Sequence, residues 1–262
     1  MPTKSSVRYR LAKNGKVQDA RSTDARETNP LSGRARVQRA KAGPRHESDR
    51  VAAMNTIRVD IEGTAPLKFN KRSEESIRAQ LYEQTTGQKA ERKPREVVTE
   101  AISGCHFIGD RPRDEAGLSK SHFGIPAIAF RLAMVQVANM AGGHKTTARL
   151  AFFVDGDAGR YVRVHALAKP IISIDPVTLN GKTGSLAFRV TIPTWKASLT
   201  IRHFTSAISE AKVLELLHFA AGSVGVGSHR ITASSCGEYG SFRVVRALRI
   251  VGGKEQSVEA PA

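Results

Sequence analysis

Apolar and polar residues alternate from Asn55 to Gly63, with Ile57, Val59 and Ile61 set against Arg58, Asp60 and Glu62. That period of two predicts a strand with one buried face. Residues 73–100 are rich in Glu, Arg and Gln and predict partial helix, broken near Pro94. A second strand is expected over roughly 97–108, followed by a polar loop over 109–122. Gly124, Ile125 and Pro126 then open a helix, since proline is tolerated in a first helical turn. After that start, only Arg131, Gln136 and Asn139 are polar up to Met140, so this helix should be buried on most sides. Strands are predicted near 148–154, 160–167 and 170–175, with turns at Asp155-Gly156-Asp157 and Asn180-Gly181. An extended stretch from Ser185 to Phe204 is interrupted by Pro193. A helix near 209–221 puts Val213, Leu216, Leu217 and Ala220 on one stripe, and a last strand runs from Phe242 to Val251.

Two well-defined helices lie between strand pairs, and strands outnumber helices. The pattern predicts an α+β fold with helices on one face of a mostly antiparallel sheet. The ending, strand–helix–glycine loop–strand, fits half of a ferredoxin-like or RRM-like unit. Residues 54–262 are expected to hold one elaborated unit or two fused ones. Residues 1–53 lack apolar periodicity and predict a disordered basic tail. Two readings of that tail stay open: an arm that grips nucleic acid nonspecifically, or a start placed upstream of the natural Met54.

Charge narrows the choice of partner. The 262 residues carry 41 Lys+Arg against 24 Asp+Glu, a net charge of +17. Residues 1–53 hold 13 Lys+Arg and 5 Asp+Glu, and the remainder 28 and 19, so tail and body are both basic. An excess of that size favours a polyanionic partner through phosphate neutralisation and counterion release. No apolar run is long enough for a membrane span, and the start lacks the apolar stretch of a secretory signal. The two cysteines, Cys105 and Cys236, form no C-x-x-C pair. The expectation is a cytoplasmic protein in a reducing compartment, without membrane contact, cofactor or metal.

Candidate chemistry concentrates in the loop from Gly222 to Arg230, between the last helix and the last strand. Gly225 and Gly227 suit positive φ and close backbone approach, and the N–H groups of 225–229 offer a cradle for an anion. The structural alternative is a tight turn after the helix. His229 and Arg230 add an acid–base group and a cation. On the strand near 160–167, Tyr161, Arg163 and His165 share one face, an aromatic among cations that suits base stacking and phosphate pairing. Lys196, Ser198, Thr200 and Arg202 form a similar face, and Arg243 and Arg249 are expected to line up on another. Trp195 is more simply read as core. No histidine spacing supports a metal site.

Four pieces resemble, in order, a family of small bacteriophage and prophage proteins with a C-terminal glycine-rich loop. They are Ile61 to Leu67, Gly124 to Phe130, Ile192 to Trp195, and Ala221 to Phe242. The family's last piece reads Gly-x-Gly-x-x-Arg-Pro and then Gly-x-Phe-Gly-x-Phe. Gly225, Gly227, Arg230, Gly237, Gly240 and Phe242 match it, while Ile231 replaces the proline and Tyr239 the first phenylalanine. The loop is also distantly similar to that of the RAMP superfamily, ferredoxin-like RNA-binding proteins of CRISPR systems, some of which cleave RNA. The resemblance implies a ferredoxin-like core, a bacterial host cytoplasm and a nucleic-acid-binding role.

The expectation is therefore a phage-type protein that binds nucleic acid, single strands above all, with little sequence preference. Its binding residues are Gly225, Gly227, His229, Arg230, Tyr161, Arg163 and Arg202. One alternative is a metal-independent ribonuclease using His229. The other is a structural or assembly protein whose body forms homo-oligomers.

Overall fold

Ile57, Val59 and Ile61 lose essentially all their exposure because their strand, β1 (Met54–Gly63), is the middle of the main sheet. The computed structural model describes residues 53–89, 94–179, 182–232 and 237–258. The 1–53 tail and the Asn180-Gly181 turn fall essentially outside these residues. After β1 come β2 (Leu67–Lys68), α1 (Glu74–Thr86), α2 (Val97–Ser103) and α3 (Glu115–Leu118). The chain continues through β3 (Phe123–Pro126), α4 (Ala127–Val137), α5 (Lys145–Ala151), β4 (Phe152–Asp155) and β5 (Tyr161–Ala166). It ends with β6 (Ile171–Leu179), β7 (Lys182–Ile192), β8 (Trp195–Phe204), α6 (Glu210–Ser223), β9 (Phe242–Val251) and β10 (Lys254–Ser257).

The fold is α+β and its sheets are antiparallel throughout the paired strands. The main sheet runs β10-β9-β1-β8-β5-β3, with β4 also pairing β8. Taken along the chain, β1, α4, β4 with β5, β8, α6 and β9 form β-α-β-β-α-β. Their strands lie in the order fourth, first, third, second, which is the ferredoxin-like arrangement. α4 and α6 pack on each other and on this sheet. They cover Ile57, Val59, Leu199 and Ile201, all fully buried. A second, smaller sheet, β2-β7-β6, carries α2 against β7.

Four expectations are corrected. Gly124, Ile125 and Pro126 do not open the helix but belong to strand β3, and α4 begins at Ala127. Residues 97–103 are helix α2, not strand, since Ala101 and Ile102 turn inward together while Arg95 and Glu100 pair outside. Only the following residues extend, with Phe107 bridging Phe123 at the edge of β3. The segment near 148–154 begins as α5, and strand character starts at Phe152. Arg243 and Arg249 do not share a face: a bulge shifts the β1–β9 register between Asp60 and Ile61. One extra residue reverses the inward–outward parity of everything beyond it. Arg243 therefore meets Glu62 on the outer face, whereas Arg249 reaches Glu210 at the start of α6.

Candidate functional site

Gly225 and Gly227 have φ of 69° and 84°, in the left-handed region that disfavours side chains. A Cβ at 225 would lie 3.0 Å from the Gly240 carbonyl, and one at 227 only 2.7 Å from the Lys68 carbonyl oxygen. Val226 N–H donates to Gly240 O (2.9 Å) and Ser228 N–H to Lys68 O (2.8 Å). Gly240 N–H in turn donates to Pro66 O (2.8 Å). The loop is thus stitched between residues 66–68 and 240. Gly225 N–H also donates inside the protein, to Ala220 O. Three of the five N–H groups expected to cradle an anion are already occupied, which corrects that part of the reading. His229 carries positive φ, 53°, without being glycine, and its carbonyl accepts from Tyr239 N–H.

The segments Ile61 to Leu67, Gly124 to Phe130, Ile192 to Trp195 and Ala221 to Phe242 meet in space. Trp195 is fully buried, and its indole N–H donates to Ala65 O at 2.9 Å. A Cβ on Gly63 would fall 2.1 Å from that indole nitrogen, so the strand end must be glycine. Phe242 packs edge-on against both Trp195 and Phe130. The tryptophan is core, and its partners hold the loop's two anchoring segments together.

Beneath the loop lies a buried charge cluster. Asp175 on β6 accepts from Lys68 Nζ (3.0 and 3.1 Å) and from Arg189 Nη1 (2.9 Å) on β7. The Lys68 and Arg189 side chains are 4% and 8% exposed. Burial alone would raise the Asp175 pKa; the hydrogen bonds and charges of Arg189 and Lys68 outweigh it and hold the carboxyl below its ordinary value. Lys68 Nζ also sits 4.1 Å from the centre of the Tyr239 ring. Two cations share one carboxylate, leaving positive charge under His229.

Above it opens a cleft of about 440 Å³, bounded by Phe69–Lys71, His106, the start of α4 and Gly227–Arg230. Its walls carry Lys71, Arg230 and two histidines, and no carboxylate. The His106 and Tyr161 rings pack at 4.8 Å between centres, tilted by 37°, beside Gly124. The β3–β5 register pairs Gly124 with Arg163, so Arg163 lies on that same face. Burial, with Lys71 and Arg160, lowers the His106 pKa; burial, with Arg189 and Lys68, lowers that of His229. Both imidazoles are consequently neutral at pH 7, and both report a positive surrounding.

Of the residues singled out in the sequence, Gly227, His229 and Arg230 line the cleft. Gly225 is buried against Gly240, and Tyr161 sits behind His106 with Arg163 on the same face of β5. Arg202 stands apart on the outer sheet face, held by both oxygens of Asp155 at 2.5 and 2.8 Å. Arg58 and Arg243 on that face are likewise paired, with Glu255 and Glu62. Asp157 accepts from Arg163 N–H, so the Asp155-Gly156-Asp157 segment acts as a turn. Sequence reading missed Lys71 and His106, because nothing in their spacing places them opposite residues 227–230. Among the described residues no three His, Cys, Asp or Glu side chains assemble as metal ligands, and no helix is long and apolar enough to cross a membrane.

No family model and no curated protein matches the chain. Among solved structures it is similar to a chain of the Type III-B Cmr-beta bound to cognate target RNA, with TM-score 0.43 and 12% identity. That match covers 75% of this chain and 60% of the other, so this chain spans less than two thirds of that neighbour's length. It is also similar to Cmr6 from Pyrococcus furiosus, with TM-score 0.35 and 12% identity over 74% of this chain and 99% of that one.

Proposed function

We propose that the protein binds nucleic acid, preferring single strands with little sequence selectivity, and serves phage-type nucleic-acid metabolism by coating, annealing or protecting strands. The observation that carries this reading is the carboxylate-free cleft flanked by Lys71, Arg230, His106 and His229. Phosphates engage Arg230, Lys71 and Arg163, and Tyr161 supports a stacked base. Arg202 contributes less, because Asp155 already neutralises it.

A gel-shift panel of single- and double-stranded DNA and RNA at several salt concentrations tests the reading. Binding should weaken steeply with salt, with a log–log slope of about −0.7 per phosphate contacted on a single strand. A chain starting at Met54 should stay folded, bind more weakly and show a shallower slope. Binding that is indifferent to salt, or absent for every strand, would sink the proposal.

Affinity should also depend on pH. His106 and His229 are neutral in the free protein because their pKa values are lowered. A phosphate placed beside them stabilises the protonated form, so binding takes up protons and tightens as pH falls from 8 towards 5.5. His229→Asn, which tolerates positive φ better than most residues, should flatten that profile. A profile unchanged in this variant removes His229 from the interface.

Two neutral imidazoles lining one cleft also favour a second reading, a metal-independent ribonuclease in which His229 is an acid or base. RNA cleavage in EDTA that disappears in His229→Asn supports it. Intact RNA after prolonged incubation with protein that binds it rejects it.

A further inference from the structure

We propose that the cleft is a seat for one unpaired nucleotide, with the base laid against His106, itself backed by Tyr161, and the phosphate held by Lys71 and Arg230. This rests on the nucleic-acid reading above and specifies what the site accepts. Size comes first. At about 440 Å³ the space lies near the lower end of small-ligand sites, enough for one nucleotide and too little for a base pair.

The walls then combine a ring with cations. The ring surface is the His106 imidazole, packed against the Tyr161 ring at 4.8 Å between centres and tilted to it by 37°, with Phe69 buried on Phe123 behind the wall. Gly124 keeps that contact close, since a Cβ there would press on Tyr161 Cβ at 3.1 Å and on Ile108 at 3.3 Å. Arg160 fixes the far end by donating from Nε to the Tyr161 hydroxyl at 3.1 Å. The platform is built before any ligand arrives, so little ordering is needed on binding. The lining also carries Lys71, held beside the His106 segment by its N–H on Gly104 O, and Arg230, and neither forms an ion pair among the described residues. Asn70 also lines the cleft with both a donor and an acceptor, which suits any base edge.

A paired base hides its faces in the helical stack, whereas an unpaired one exposes a face to an aromatic platform. A stack with no fixed hydrogen-bond pattern is tolerant of base identity. The seat therefore accounts for a preference for single strands without a preference for sequence.

The test uses the full chain and a labelled single strand, with nucleoside monophosphates, adenosine and inorganic phosphate as competitors. Each monophosphate should displace the strand, while adenosine or phosphate alone should compete at least tenfold less well. His106→Ala should weaken monophosphate binding about tenfold, as loss of one base-stacking contact implies. His106→Phe, which keeps a ring, should restore most of it, and melting temperatures should show that both variants are folded. Phosphate competing as well as the monophosphates, or His106→Ala binding them normally, overturns the seat and leaves an anion site only. Normal strand binding with no competition by millimolar monophosphate overturns the seat while the proposed function stands. Failure of strands and monophosphates alike overturns both.

Discussion

Replacing Asp175 by alanine is expected to lower the unfolding free energy by about 3–5 kcal/mol, because it strands two buried cations without a counter-charge. Lys68 and Arg189 are both nearly inaccessible to water, and Asp175 is the carboxylate they share. Lys68→Met should cost less, since Asp175 then keeps Arg189 at 2.9 Å. Urea unfolding of the three proteins checks the order. An Asp175→Ala protein as stable as its parent would mean that the two cations rehydrate without cost. The same pair predicts a pH dependence. The Asp175 pKa is lower in the folded protein, so its contribution is complete above the unfolded value of about 4. It is lost as pH falls through the lower folded value. Acid unfolding of the parent should therefore steepen below pH 4, and that component should be missing from Asp175→Ala.

The second large effect concerns the loop. Gly227→Val puts a β-branched residue at φ 84° and drives its Cβ to within 2.7 Å of the Lys68 carbonyl oxygen. Strain and clash together should cost about 3 kcal/mol or more, with a fall in melting temperature of roughly 6–12 °C for a domain of this size. Nucleic-acid binding should fall with it, because the Ser228–Lys68 hydrogen bond that shapes the cleft is lost. Arg230→Ala makes the opposite separation: affinity falls by about tenfold, at the scale of a charged contact, while the melting temperature holds. If Arg230→Ala loses stability before affinity, the guanidinium pairs internally and the site is misplaced. Normal binding at every salt concentration would make the loop purely structural.

Much of this fold is legible in the sequence because its strands obey simple alternation. Ile57, Val59 and Ile61, or Leu199 and Ile201, announce their buried face, and the ferredoxin-like order follows from where the two apolar helices fall. The α2 segment misleads because Val97 and Val98 read as strand formers, and seven residues are too few to display a helical period. The bulge misleads differently: one unpaired position in β9 sends Arg249 to the helices, and no residue type advertises it. In the site, the need for glycine at 225 and 227 was visible from composition. The charge cluster was not, since Lys68, Asp175 and Arg189 come from three strands and only the small sheet's pairing unites them. His106 was hidden for the same reason, its partner Tyr161 lying across β3.

The position of β1 has a kinetic consequence. It sits between β8 and β9, with Met54 against Phe204 and Thr56 against Ile250. The first of the described strands to leave the ribosome thus waits for its second neighbour until β9 emerges, late in synthesis. Pairings between such distant segments pay their loop-closure entropy before any contact rewards it, so folding is slow and exposed to misassembly. Chains cut short anywhere before β9 should leave β1 with one raw edge and collect in the insoluble fraction, whereas loss of residues after β10 should not.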